Sequence, residues 1–162
     1  MKMVILITVL LFTAIGFIFS NLMTPAPGSS SGNGNPAILF VLLLPFILFY
    51  LIVFWRGIFR ELSNKKKWII VVAGSSYCAS AAMYQRWSFV RYVDEMRKGY
   101  KEQFGYVDEE YIQDIAVFLS IHVNNQFFNF NTFIVFVVLS VVIGVLVPLR
   151  GVGKNNKGGG VI

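Results

Sequence analysis

Charge is what this sequence has least of. No Asp, Glu, Lys or Arg occurs from Met3 to Trp55, from Trp68 to Gln85, or from Ile115 to Leu149. Charged residues make up 14% of the 162-residue chain and hydrophobic residues 56%. An average soluble domain is about 25% charged and about 45–50% apolar. That balance excludes a disordered chain, which lacks apolar content. It also excludes an ordinary soluble globular domain. The expected class is an all-α integral membrane protein.

Reactive residues are equally sparse. Cys78 is the one cysteine and lies inside an apolar run. There is no CxxC, so an internal disulfide, a dithiol oxidoreductase and a cysteine zinc site are excluded. His122 is the one histidine. It cannot make a metal site alone, and it reads as an interfacial or packed residue, with pH sensing as the alternative. GxSxG, P-loop and HExxH patterns are missing, as is a GxGxxG in strand context. Ser75 and Ser76 have no basic partner on their own helix to activate a nucleophile. No catalytic, cofactor or metal residues are expected, and no small-molecule substrate is evident. The apolar runs hold no acidic relay and no voltage-sensing Arg. A pore lined by hydroxyls or backbone stays open.

What is present is a set of apolar blocks of membrane length. About twenty residues at 1.5 Å rise cross a hydrocarbon core of about 30 Å. Residues 1–23 and 37–59 read as the first two spans, joined by a flexible outer link, 24–36, of sequence TPAPGSSSGNGNP. A cleaved signal peptide is the alternative for the first. Its apolar stretch exceeds an h-region, and Pro27 follows the candidate cleavage residue Ala26, so retention is expected. Residues 60–67 form a basic loop and 68–85 a third span. Residues 86–131 read as an extracytoplasmic helical segment. Residues 132–149 form a fourth span, closed by Pro148 and Arg150, and 150–162 a basic, glycine-rich, mobile tail.

The expected fold is therefore four transmembrane helices with a helical insertion between helices 3 and 4. With a cytoplasmic N-terminus, the inner side holds nine basic residues and only Glu61 as an acid. The outer side holds five basic and seven acidic residues. This bias favours cytoplasmic N- and C-termini in a bacterial inner or plasma membrane. The net charge of +6 then reads as topogenic rather than as a nucleic-acid footprint. Trp55, Trp68 and Trp87 fall at span boundaries, as interfacial rings do.

Two groups of residues are singled out for interactions. In the third span Gly74, Ser75, Ser76, Cys78, Ala79 and Ser80 form small-xxx-small pairs, which let membrane helices approach closely. This helix is expected to be central, with a hydroxyl-lined pathway as the alternative. Gly16/Ser20 and Ser140/Gly144 are weaker pairs of the same kind. Pro45 is expected to kink the second span, either as a static bend or as a hinge.

In the outer segment Trp87, Val90, Val93, Met96, Tyr100 and Phe104 recur at helical spacing as one stripe. Arg91/Glu95, Asp94/Lys98 and Lys98/Glu102 are spaced as i,i+4 ion pairs. Gly105 ends that helix. Asp108 caps a second one, with Glu109 and Glu110 at its positive end and Ile112, Ile115, Ala116, Leu119 and Val123 as its apolar face. Asp108, Glu109, Glu110 and Asp114 read as a solvated helix start, with a cation site as the alternative. The stretch NNQFFNFNTF, 124–133, mixes Asn with Phe as expected at headgroup depth, and Phe127, Phe128, Phe130, Phe133 and Phe136 read as an aromatic belt there, with a partner-binding patch as the alternative.

Arg91, Asp94, Arg97 and Lys98 are the candidate partner contacts. The expected function is that of a non-enzymatic accessory or regulatory subunit, embedded in the lipid bilayer and bound to a membrane protein partner. The alternative is a homo-oligomeric pore, channel or sensor of membrane perturbation. Accessory subunits, immunity proteins and envelope sensors share this architecture, and architecture does not fix function.

Overall fold

The computed structural model describes residues 2–29 and 34–155, with side chains described for 3–29 and 34–147. These residues form six α-helices and one 3-10 turn. The helices are α1 (Lys2–Leu22), α2 (Ala37–Phe59), α3 (Asn64–Phe104), α4 (Glu109–Ile115), α5 (Asn124–Phe127) and α6 (Phe130–Asn155). The 3-10 turn, Ile121–Val123, lies between α4 and α5. The fold is all-helical, as the apolar periodicity implies.

Three helices are long and apolar enough to cross a membrane: Met3–Leu22, Ala37–Phe59 and Phe130–Val147. The expected third span, 68–85, is not of this class. Serines, Tyr77 and Gln85 dilute its apolar content, and it does not end at Gln85. α3 runs unbroken for 41 residues, about 60 Å at 1.5 Å per residue. Nothing between Ser63 and Gly105 can stop it, since the interior glycines are tolerated and there is no proline. Gly105 then ends the helix in the left-handed conformation, at φ 79°, as expected of a C-terminal glycine.

The central helix is α6, not α3. It packs along α2 on one side and along α3 on the other. The α2–α6 crossing is set by Gly144. A Cβ there would fall 2.8 Å from Trp55 Cβ and 3.0 Å from the Ile52 carbonyl oxygen. One turn earlier, Ser140 accepts a 3.0 Å hydrogen bond from Trp55 Nε1. On the other side, Gly74 of α3 meets Val142, and Val71, Val142 and Val145 form a buried cluster. Near its N-terminus α6 touches α3 again, where Asn131 donates to the Ala81 carbonyl and to Gln85 Oε1. α3 from Val71 to Gln85 therefore lies antiparallel beside α6 from Val145 to Asn131.

α1 packs on α2 and α5. Gly16 makes room for the Phe40 ring, so the Gly16/Ser20 and Ser140/Gly144 pairs serve contacts within the chain. α2 is one helix through Pro45, whose missing N–H would otherwise bond to the Val41 carbonyl. The α6 backbone stays helical past Pro148 to Asn155. The helix thus outlasts the apolar span, because Pro148 removes a single donor and leaves the rest of the ladder. The remaining tail, 156–162, lies outside the described residues.

Candidate functional site

The end of the molecule opposite the basic loop 60–67, the one expected to lie outside, is organised by the segment from Ser120 to Thr132. Its Asn and Phe residues read from sequence as a belt at headgroup depth. They are instead largely internal. Val123 and Asn124 are 0% and 2% exposed, and His122, Gln126 and Phe128 are also buried. Only Phe130 stands clear, at 80%. Irregular backbone beside apolar helices needs protein partners for its polar groups. The amides of this segment supply them.

Asn124 and Asn35 form a reciprocal amide pair at 2.8 and 2.9 Å. Asn35 also donates to the Leu119 carbonyl at 2.8 Å. That bond holds Leu119 at φ 74°, a conformation that costs about 1–2 kcal/mol for a residue with a Cβ. Asn21, at the end of α1, donates to the Phe128 carbonyl at 2.7 Å. Thr24 Oγ1 accepts from Asn125 N at 2.8 Å. Gln85 of α3 donates to the Gln126 carbonyl at 2.6 Å and accepts from Asn129. Asn129 and Thr132 cap α6 reciprocally. Thr132 N donates to Asn129 Oδ1, and Asn129 N donates to Thr132 Oγ1, each at 3.0 Å. This arrangement has the logic of a capping box.

Beneath the network Phe17, Phe40, Phe128, Phe133 and Phe136 pack edge to face or tilted around Phe17. Such pairs contribute about 0.5–1.5 kcal/mol each beyond area burial. Above the network lies a second core of Tyr92, Met96, Tyr100, Ile112 and Val123. The stripe expected on α3 is therefore rotated. Tyr92, Met96 and Tyr100 face inward, while Trp87, Val90 and Phe104 are exposed. Burial pushes the Tyr92 phenol upward, and its hydroxyl donates to the His122 carbonyl at 3.0 Å.

The expected second helix is shorter than its apolar pattern. Asp108 does cap it, accepting from Tyr111 N at 3.1 Å. α4 then ends at Ile115, because the chain turns at Leu119 to reach the amide network. Ile112 belongs to the outer core, while Leu119 is 38% exposed.

The outer link between α1 and α2 was expected to be flexible. Its described parts are docked. Pro27 and Gly28 lie against Gly99, where a Cβ would fall 2.7 Å from Pro27 backbone atoms. Ser29 O accepts from the Tyr100 hydroxyl at 3.0 Å.

The candidate partner residues fall into two kinds. Arg97 is structural, pairing with Asp94 at 2.7 Å and with Glu109 of α4 at 3.1 Å. These two carboxylates raise its pKa. Arg91, Asp94 and Lys98 are exposed. Among the described residues the three expected i,i+4 ion pairs do not form. Arg91 instead lies over the Trp87 ring, 4.8 Å from its centroid, an alternative partner for an exposed guanidinium.

The small residues of α3 divide in the same way. Gly74 and Cys78 are partly covered, whereas Ser75, Ser76, Ala79 and Ser80 are exposed. The structure uses one face of this helix and leaves the other bare. Asp108, Glu109, Glu110 and Asp114 belong to the α4 start. Among the described residues no group of three His, Cys, Asp or Glu side chains could hold a metal ion. His122 is buried, and burial lowers its pKa.

Sequence reasoning missed the network formed by Asn21, Asn35, Gln85, Asn124 and Asn129. The available signal was the density of Asn and Gln beside apolar runs, where each amide needs a partner. Compared with protein-family models, curated proteins and solved structures, the chain matches none.

Proposed function

We propose that the chain is a four-span membrane subunit that works through protein contact along α3, as an accessory or regulatory partner in a larger complex, and not by catalysis. One observation carries the reading. The exposed faces of α1 and α2 present Leu, Ile and Phe, including Leu11, Ile15, Leu42 and Phe46. At the same depth α3 exposes Ala73, Ser75, Ser76, Ala79 and Ser80 in a row, flanked by Val72, Tyr77 and Met83. Small hydroxylated faces favour close helix approach and interhelical hydrogen bonds, which drive association where lipid removes the hydrophobic term. Trp87 and Arg91 continue that face outward.

The antiparallel match of Val71–Gln85 with α6 supports a fourth crossing. Arg56, Arg60 and Lys65–Lys67 at one end support cytoplasmic termini.

The test is a comparison of complexes purified in mild detergent from cells expressing the wild type or the Ser76→Leu/Ser80→Leu double variant. The partner present at fixed stoichiometry with the wild type should be lost from the variant, while helicity and thermal midpoint stay unchanged. Leu42→Phe on α2 should retain it. Equal partner yield from all three proteins would overturn the reading.

A homo-oligomeric pore is the second reading, favoured by the exposed hydroxyls of Ser75, Ser76 and Ser80. It requires a defined homo-oligomer with no other protein, and a planar-bilayer conductance that Ser76→Leu changes.

A further inference from the structure

At the outer tip of the molecule Tyr100, Phe104, Tyr106, Asp108 and Tyr111 line a cleft of about 320 Å³. We propose that this cleft binds a small water-borne organic cation, of the quaternary or alkylated ammonium class. The site is separate from the bare face of α3, and its test does not depend on that reading.

The aromatic residues are not all there for packing. Phe104 and Tyr106 are 48% and 67% exposed and stand outside the outer core. Tyr100 is the buried floor. Phe104 stacks on it at 5.6 Å with 20° between planes, and Tyr111 meets it edge-on at 5.4 Å and 68°. The floor is held in place because the Tyr100 hydroxyl donates to Ser29 O. Ring faces carry negative potential and attract cations, most strongly those with a thin hydration shell.

Asp108 supplies a formal charge at the rim. One carboxylate oxygen caps α4 by accepting from Tyr111 N. Among the described residues Asp108 makes no ion pair, while Arg97 is taken up by Asp94 and Glu109. Glu110 and Asp114 add negative charge on the same short helix. Aromatic faces and an unneutralised carboxylate together select a cation and repel anions. A volume near 300 Å³ is at the small end of ligand pockets and suits a trimethylammonium group.

The position argues for a ligand from water rather than a lipid headgroup. Gln85 marks the level of the α6 N-terminus. Tyr100 is fifteen residues further along the continuous α3, about 22 Å away.

The probe is choline, titrated calorimetrically into the full chain in nanodiscs. Its neutral isostere 3,3-dimethyl-1-butanol is the control. Choline should bind and the alcohol should bind at least about tenfold more weakly. Tyr106→Leu should weaken choline about tenfold without changing the melting curve, since Tyr106 is largely exposed. Asp108→Asn keeps the helix cap and should weaken choline severalfold.

Equal affinity for choline and the alcohol would overturn the proposal, as would no choline binding by folded protein at tens of millimolar. Phosphatidylcholine and phosphatidylglycerol discs should give the same choline affinity. Weaker apparent affinity in phosphatidylcholine discs would assign the site to lipid headgroups and overturn the water-borne source.

Discussion

The apolar half of the molecule and its outer head are built on opposite principles. In the apolar half α1 and α2 turn many of their large side chains outward while α6 lies between α2 and α3, and contact depends on where a small residue lets backbones close. Between its two rims, that half has one interhelical side-chain hydrogen bond among the described residues, Trp55 to Ser140, and at the far rim Lys67 of α3 donates to the Arg60 carbonyl at the end of α2. Thr8 and Thr13 bond back along their own helix, Thr13 to the Val9 carbonyl at 2.7 Å, and the buried Ser20 hydroxyl has no partner among the described residues. The outer head is short of regular structure and dense in amide bonds. Burying apolar surface gains little among lipid tails, whereas a buried amide without a partner costs about 1–3 kcal/mol. The head is therefore specified by satisfied polar groups, and the apolar half by shape.

That difference predicts where the protein is most easily broken. Asn124→Ala should have the largest effect, about 3 kcal/mol, because it strands Asn35 and releases the Leu119 turn. The check is a detergent denaturation titration read by tryptophan fluorescence. The double variant with Asn35→Ala should cost much less than the sum of the two singles. Additive losses would show that the amide pair does not act as a unit.

Gly144→Val attacks the apolar half by shape alone. Forcing Trp55 and the α2 backbone away from α6 should cost about 2 kcal/mol by overpacking. The same titration measures it, and an unchanged midpoint would mean that the α2–α6 crossing relaxes freely. Ser140→Ala removes a hydrogen bond at the same crossing without adding bulk. Interhelical hydrogen bonds in membranes average about 0.6 kcal/mol, so its loss should be well below that of Gly144→Val. A larger loss would bring the apolar half under the rule that governs the head.

Acid separates the two regions more gently. Burial lowers the His122 pKa in the folded protein, so the unfolded chain takes up the proton first. The head should hold full stability above an unfolded-state pKa near 6.5 and lose it as pH falls toward the lower folded value. Amide exchange, corrected for intrinsic rate, should rise below about pH 6 across residues 116–129 and stay flat in the buried stretch of α6. Flat exchange in both segments would remove His122 as a sensitive point.

Much of the fold was legible because its signals are local. Gly105 as a terminator and Asp108 as a cap follow from single-residue chemistry, and the long uncharged runs announced three of the helices. The small residues of α3 left their packing partner unnamed for a physical reason. Small side chains permit close approach without saying whether it occurs within the chain, and here Gly16, Gly74 and Gly144 make the close contacts while Ser76 and Ser80 stay bare. The rotated stripe has a similar cause. Trp87, Val90 and Phe104 fit helical spacing as well as Tyr92 does, and only the position of His122 and Ile112 selects the inward face.

By itself the sequence determined that the chain is helical and apolar, where α4 begins, where α3 ends, and that basic charge gathers at one end. These follow from hydration, backbone sterics and terminal hydrogen bonding, each acting over a few residues. Tertiary structure alone decided that α6 is central, that α3 passes unbroken from the apolar half into the head, and that Asn35 reaches Asn124. An amide's partner is chosen by which helices meet, and that is a property of the whole packing, which no local pattern encodes.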